Sequence, residues 1–546
     1  MSRDGASGRV GGLRAAVGRS PVGWLRRHPI GVLAVVISLL VVSPVVWILL
    51  RAGELAPARA LELLTSETTR EVLVNSVLMV GGVTVLSVVI GVPLAVLTVQ
   101  TDLPFRRFWT VTAALPLVVP SYIGAFAFVS AFGPRGVLSD ALAPLGIEQI
   151  PSIYGLHGAV LVLTLFTYPY VFLTTRASLQ SFDGHLVEAA RTLNQGRWAA
   201  FRKVVLPQIK PGVTAGALLV ALYALSDFGT PAIMRYDVFT RMIYVSRAAQ
   251  QGFAALLSLL LLAVTLIILV AESRVEGGDQ SAYVSRGSRP GKFKLGKWKA
   301  PALAFCGSLA ALCLALPLGI LLMWLERDDP AFVGGGFTFE AEIALNSVYV
   351  AVIAAVACAV LALPIAYFAV RSNSRLARFA ERTTYVGYAV PGVVLGLALI
   401  IFGLRFVPGI YRELPLLILL FAYVVRFLPQ SVGTVRSSFL QVDPKLVEAA
   451  DTLGASSFRS FRRIVLPLVT PGLVAGAALV FLTTMKELPA TLLLRPFGFD
   501  TFVTYIWRVQ EAGYYGEAAV PALVLVGISA ISMLALLGRD RFTEGN

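Results

Sequence analysis

Two acidic residues stand in a chain that is otherwise too apolar to carry them cheaply. In YALSDFGTPAIMRYDVFTR, Asp227 precedes Arg235; in TTMKELPATLLLRPFGFDT, Glu487 precedes Arg495. The acids are 260 residues apart, and so are the arginines. Each stretch closes a long apolar run, and Gly229-Thr230-Pro231 and Leu488-Pro489 are expected to break the helices there. A charge at lipid depth is costly and usually faces a cavity or a pathway. Broken backbone at that depth must be buried in protein or line water. One reading is a pair of facing acidic positions at the outer mouth of a path. The other is a capped helix end with a local pair, Asp227 to Arg235 and Glu487 to Arg495, which costs little near a surface. A third stretch, LPLVVPSYIGAFAF from Leu115 to Phe128, carries Pro120, which should kink its helix. Tyr122 and Gly124 there suit either the path or helix packing.

The same spacing of 260 residues joins two polar, basic islands, EAARTLNQGRWAAFRKVVLPQIKPG (188–212) and EAADTLGASSFRSFRRIVLPLVTPG (448–472). In the second, Asp443-Pro444 is a helix start, with an Asp cap and Pro at the first helical position. Gly454 is a left-handed stop, and Asn194 in the first copy is the next-best residue for that conformation. A second short helix should follow. Its apolar face is Phe458, Phe461, Ile464 and Val465, matched by Trp198, Phe201, Val204 and Val205. Arg462 and Arg463 lie off that face, and Leu466-Pro467 and Leu206-Pro207 are expected to end the helix. The product is a compact helix–turn–helix knob suited to a partner's groove.

The islands resemble the EAA loop of ABC-importer permeases, whose coupling helices sit in clefts of the ATPase subunits. The pattern of EAA, then Gly, then a Leu-Pro pair is complete in the second copy (Glu448, Ala449, Gly454) and carries Asn194 for Gly in the first (Glu188, Ala189). The Pro120, Asp227 and Glu487 stretches resemble segments of fused two-half permeases of the ferric-iron importer family. That resemblance implies a periplasmic protein delivering Fe³⁺, two copies of a separate ATPase, and Glu188 and Glu448 in charged contact with it. The alternative role for each Glu is to favour the first turn of its own short helix. Related permeases handle thiamine or phosphonates. For a hard trivalent cation, Asp227 and Glu487 are the candidate oxygen ligands.

Composition bounds the class. Hydrophobic residues make up 57% of the chain and charged residues 14%, with a mean hydropathy of +0.78, as in a membrane protein. The net charge of +15 resides mostly in short segments between apolar runs, where it reads as a topology signal rather than a nucleic-acid surface. Cys306, Cys313 and Cys358 form no spaced pair, so neither a disulfide framework nor a zinc site is supported. GSRPGKF, Gly287 to Phe293, lacks P-loop spacing. The chain should therefore bind no cofactor itself, with ATP and Mg²⁺ used by a partner ATPase. The first apolar run is too long for a cleavable signal peptide and should be a retained anchor.

A span needs about 20 apolar residues. Helices are expected near 30–50, 73–99, 108–131, 154–175, 212–232 and 252–272, then 300–324, 343–370, 384–404, 413–433, 472–492 and 517–537. The fold class is all-α and polytopic, about 12 transmembrane helices in two parallel six-helix repeats. Residues 1–28 form a basic tail, 29–272 the first half, 273–299 a linker and 300–546 the second half. Asn75 recurs at Asn346, Pro93 at Pro364 and Pro120 at Pro391, each 271 residues on. Basic residues mark Arg106-Arg107, both islands, the linker, Arg371 to Arg382 and the C-terminus as inner segments, with both termini cytoplasmic; the resemblance implies that the membrane is a prokaryotic inner membrane. The leading expectation is the permease subunit of an ATP-driven importer, without enzymatic activity of its own, working with two ATPase copies, an extracytoplasmic binding protein and membrane lipid. An ion-gradient carrier would also show parallel halves, but gives no reason for two matched knobs.

Overall fold

In the computed structural model, residues 29–133, 137, 152–180, 201–276, 293–326, 338–372 and 374–543 are described. Helices dominate them, and the only β pairing among them is an isolated bridge between Thr101 and Phe293. Among the described residues, ten helices are long and apolar enough to cross a membrane, or up to 12 if each of two bent pairs counts as one span. Those pairs are Arg106–Val118 with Ser121–Phe132 and Arg375–Ala389 with Gly392–Phe406. The first bends by 93°, far more than a proline kink. A short 3₁₀ turn, Leu115–Val118, tightens the end of its first arm before Pro120 restarts the chain in an extended conformation.

The long helices present apolar side chains outward, as lipid-facing spans should. Glu67–Gln100 leaves Leu73, Val77, Val85 and Val89 exposed while burying Ser76, Ser87 and Gly91. Ser66 caps it, its hydroxyl accepting from the Thr69 N–H at 3.3 Å. By internal packing the chain forms two compact units. One comprises Met1–Trp47, Val348–Tyr388 and Arg405–Thr484; the other comprises Ile48–Ser347, Ala389–Leu404 and Met485–Asn546. Neither unit is one sequence repeat.

The Leu-Pro pairs do not end helices. Phe201–Val205 and Phe461–Val465 are π turns that run straight into the helices Leu206–Ser226 and Leu466–Met485. A third π turn, Ala311–Ala315, also directly precedes a Leu-Pro pair. Proline has no N–H and clashes with the carbonyl four residues back. A wider turn opens that spot and hands the carbonyl to the next N–H, so the helix survives. Past the turn, both helices pack onto the preceding span through glycines four apart. A Cβ on Gly212 would lie 2.1 Å from Ser178 Oγ, and one on Gly472 would lie 2.2 Å from Ser438 Oγ. A Cβ on Gly216 would lie 2.4 Å from Thr174 Oγ1, and one on Gly476 would lie 2.5 Å from Thr434 Oγ1. This small-residue stripe, absent from the sequence expectations, lets each island's following helix approach its neighbour's backbone.

The start of the linker continues the helix Gln251–Glu276, residues 277–292 are outside the described residues, and its last part is clasped. Phe293 N–H donates to Gln100 O at 2.8 Å, and Asp102 N–H donates to Phe293 O at 3.1 Å. The Asp102 carboxylate accepts from Leu295 N–H at 2.7 Å and pairs with Lys299 Nζ at 2.8 Å. The Leu295 N–H, and then Lys299, hold the Asp102 carboxyl below the usual carboxylate range. The folded value is thus the lower one. The clasp is fully present above about pH 4 and is lost as pH falls through the depressed value. At neutral pH, trypsin should cut at Lys294 and Lys297 several times faster in Asp102→Asn than in the parent. Equal cutting rates would show the clasp to be idle.

Candidate functional site

The helix Leu206–Ser226 ends where the sequence places its acid. Asp227 leaves the helix in an extended conformation, with its own N–H still bonded to Tyr223 O at 2.9 Å. Its Oδ1 accepts from the Thr230 N–H at 2.9 Å and so caps the short helix Gly229–Ile233. Its Oδ2 accepts from Ser121 Oγ at 2.5 Å, and Ser121 in turn accepts from the Tyr223 hydroxyl at 3.2 Å. Ser121 begins the second arm of the bent pair, so the carboxylate ties one helix break to another.

The second break repeats the design. Past Met485, Glu487 Oε1 accepts from Ala490 N–H at 3.4 Å, the start of the short helix Pro489–Leu494. Thr491 Oγ1 donates to the Glu487 carbonyl. Gly229-Thr230-Pro231 and Pro489 therefore begin short helices rather than break long ones; the breaks fall just before them. Glu487 is buried. A Cβ on Gly229 would meet Tyr122 Cβ at 2.5 Å and Leu488 Cδ2 at 3.3 Å. Only glycine allows this approach, and it brings the breaks after Val118, Ser226 and Met485 together.

Lys486, which the sequence reading passed over, donates from Nζ to Leu117 O at 3.2 Å. That carbonyl sits at the end of Arg106–Val118, where backbone acceptors lack helical partners, so the ammonium caps it. Tyr122 is only 5% exposed, and its hydroxyl has no hydrogen-bond partner among the described residues. Gly124 serves packing, since a Cβ there would overlap the Phe166 ring at 2.0 Å.

The expected local acid–arginine pairs do not form. Arg495 donates to Asp500 and to Phe499 O, and Asp500 also binds Arg508 at 2.9 Å. Arg235, at φ +53°, lies over the Tyr154 ring at 4.8 Å. Both arginines thus brace the loops beyond the short helices. The Asn-Ser repeat does the same work in both halves. Asn75 Nδ2 donates to Asp237 O at 3.0 Å and Ser76 Oγ accepts from Phe239 N–H at 3.1 Å. Asn346 and Ser347 do likewise for Asp500 O and Phe502 N–H, at 3.3 and 2.7 Å. The spacing between matched residues in these loops is 263, three more than at the acids. The added residues form a turn at Pro496–Phe499 with Gly498 at φ +77°.

The second island is described, and the first only from Phe201 onward. Glu188, Ala189, Asn194 and Trp198 lie outside the described residues, as does the side chain of Phe201. In the second, Asp443 Oδ1 accepts from Lys445 N–H at 2.9 Å and starts the helix Pro444–Thr452. Gly454 takes φ +78°, and the Ala455 N–H closes back on Ala450 O at 3.0 Å, a Schellman ending. Glu448 and Ala449 are exposed. The expected single apolar face is split. Phe458 is 74% exposed, whereas Val465 is buried and Phe461 is half-buried edge-on to Tyr367. Leu453, unremarked in the sequence, is 88% exposed and joins Phe458 as an outward apolar group.

These features define a polytopic helical membrane protein with a duplicated core, matched helix breaks and a polar island preceding a span in each half. The chain belongs to the family of binding-protein-dependent transport system inner membrane components, whose model matches residues 68–274 and again 347–540. Two matches in one chain make it a fused, two-half member. It is 29% identical over 523 residues to an Fe(3+)-transport system permease protein of Haemophilus influenzae, covering 95% of this chain and 98% of that one. It is 25% identical over 508 residues to a ferric transport system permease protein of Actinobacillus pleuropneumoniae, covering 88% and 72%. A probable molybdenum ABC transporter permease of Haloferax volcanii is 29% identical over 233 residues, 41% of this chain and 84% of its own length.

Proposed function

We propose that this chain is the membrane-spanning subunit of an ATP-driven importer of ferric iron. The observation that carries this reading is similarity to two ferric permeases, one of them along nearly its whole length, with the island doubled in one chain. Two ATPase subunits would seat on the islands, through Glu188 and Glu448 and the outward apolar groups beside them. A binding protein would deliver Fe³⁺ on the other side of a bacterial inner membrane, with both termini in the cytoplasm. Asp227 and Glu487 would meet the cation on its way, with Tyr122 beside them, and Arg235 and Arg495 would hold the adjoining loops. Closure of the ATPase pair would rock the helices and alternate access.

Reconstitution with the cognate ATPase and binding protein tests the reading. Uptake of radiolabelled Fe³⁺ should require ATP and resist an uncoupler, and neither thiamine nor a phosphonate should compete. Cysteines at positions 198 and 458 should react with an impermeant thiol reagent from the ATPase side only. Uptake that survives ATP depletion and collapses with the uncoupler would instead make this an ion-gradient carrier.

A further inference from the structure

We propose that the clasped end of the linker is a binding site for the phosphate headgroup of an anionic phospholipid. The site is independent of which cargo the chain moves.

The clasp makes one surface from two segments 193 residues apart at the Asp102–Leu295 bond. The Thr101–Phe293 bridge, that bond and the Lys299–Asp102 pair hold 101–108 beside 293–299. The helices Arg106–Ala114 and Lys299–Ala310, which start there, pack against each other. Arg107, Lys294 and Lys297 are exposed, and Arg106 and Lys299 are half-buried. Asp102 is the single acidic residue in 101–114 and 293–310, and Lys299 already engages it. Five cations thus stand against one carboxylate in these segments. Such an excess beside a bilayer attracts anionic headgroups.

Three aromatic rings accompany the cations. Phe105 is 81% exposed, Trp298 63% and Phe108 59%. Phe105 takes φ +54°, a left-handed conformation that a bulky residue ordinarily avoids, so its outward ring is held against backbone strain. Exposed aromatic and basic side chains together are the pattern of a membrane–water boundary. The surface also continues into lipid-facing surface. The span Glu67–Gln100 exposes Val85 and Val89, and the span Gly296–Glu326 exposes Leu312 and Leu322. A lipid whose phosphate meets the cations lays its acyl chains along these spans, a contact no soluble anion makes. Touching both segments at once, the headgroup holds the clasp shut.

The test titrates the purified full-length chain in detergent with phosphatidylglycerol and separately with phosphatidylcholine, counting bound lipid by native mass spectrometry. Wild type should retain phosphatidylglycerol in preference to phosphatidylcholine. Arg107→Gln with Lys297→Gln removes one cation from each segment. It should weaken phosphatidylglycerol binding about thirtyfold, leave phosphatidylcholine binding unchanged and elute with wild type in size exclusion. Asp102→Asn separates a built site from diffuse attraction. It removes a negative charge, so a diffuse basic patch would bind phosphatidylglycerol more tightly, whereas loosening the clasp should weaken binding. Tighter binding in Asp102→Asn overturns the proposal. So does an equal loss in Arg462→Gln with Arg463→Gln, two exposed cations of the second island. Displacement of the lipid by inorganic phosphate, or no lipid preference in wild type, would overturn it as well. None of these outcomes bears on Fe³⁺ uptake, which tests the importer reading separately.

Discussion

Converting both buried acids to their neutral amides, Asp227→Asn with Glu487→Gln, is expected to lower ATP-driven Fe³⁺ uptake by about a hundredfold. The estimate takes roughly tenfold for each lost charge, or about 1.4 kcal/mol apiece. The amides are chosen because each acid also has a structural task. Asp227 accepts from Thr230 N–H and Ser121, and Glu487 from Ala490 N–H. Alanine would strip those caps, at about 1 kcal/mol each, and blur lost transport with lost stability. Asn and Gln each keep one acceptor oxygen for the Thr230 and Ala490 N–H groups; at Asp227 the second oxygen becomes an amide N–H₂ that donates to the Ser121 hydroxyl instead of accepting from it. The double amide should therefore elute with its ATPase in size exclusion while its vesicles stay nearly empty of iron. Uptake at the wild-type rate would remove both residues from the path and leave them as helix caps.

The second large effect concerns the ATPase interface. Phe458→Glu should cut recovery of the ATPase in detergent pull-downs by about thirtyfold, as expected when an exposed aromatic anchor worth about 2 kcal/mol is replaced by a charge. Phe458 and Leu453 are the outward apolar groups of the described island, at 74% and 88% exposure, and each stands free of its own fold's core. Glu188→Arg with Glu448→Arg should do less, about threefold, because an exposed ion pair contributes roughly 0–1 kcal/mol. The order of the two effects separates docking by apolar anchors from docking by charge. Unchanged ATPase recovery in Phe458→Glu would remove the anchor from the interface, and a larger loss in the Glu pair would reverse the ranking.

Much of this organisation was legible because it rests on local rules. Long apolar runs must become helices in lipid, so most spans fall close to their expected places, but the two expected at 212–232 and 472–492 are Arg202–Ser226 and Phe458–Met485 and begin inside the islands. Asp443-Pro444 starts its helix and Gly454 stops it, as cap and left-handed geometry require. Proline rules were less sufficient. At Pro120 the chain turns by 93° instead of kinking, whereas at Pro207 and Pro467 it does not stop at all. A proline forbids one hydrogen bond; whether the helix then bends, breaks or widens into a π turn depends on what packs against it.

The sequence by itself determined the class: a duplicated helical membrane chain, two like islands and two like acids at matched positions. These follow from composition and periodicity, which act along the chain. Only the tertiary structure decided the partners. Arg495 binds Asp500 instead of Glu487, Lys486 caps Leu117 O, and the repeated Asn-Ser pairs brace loops roughly 160 residues away. It also left the Tyr122 hydroxyl buried with no hydrogen-bond partner among the described residues. Side-chain pairing at a helix break is set by which breaks are brought together in space. That convergence rests on close contacts such as Gly229 against Tyr122, and no local pattern encodes it.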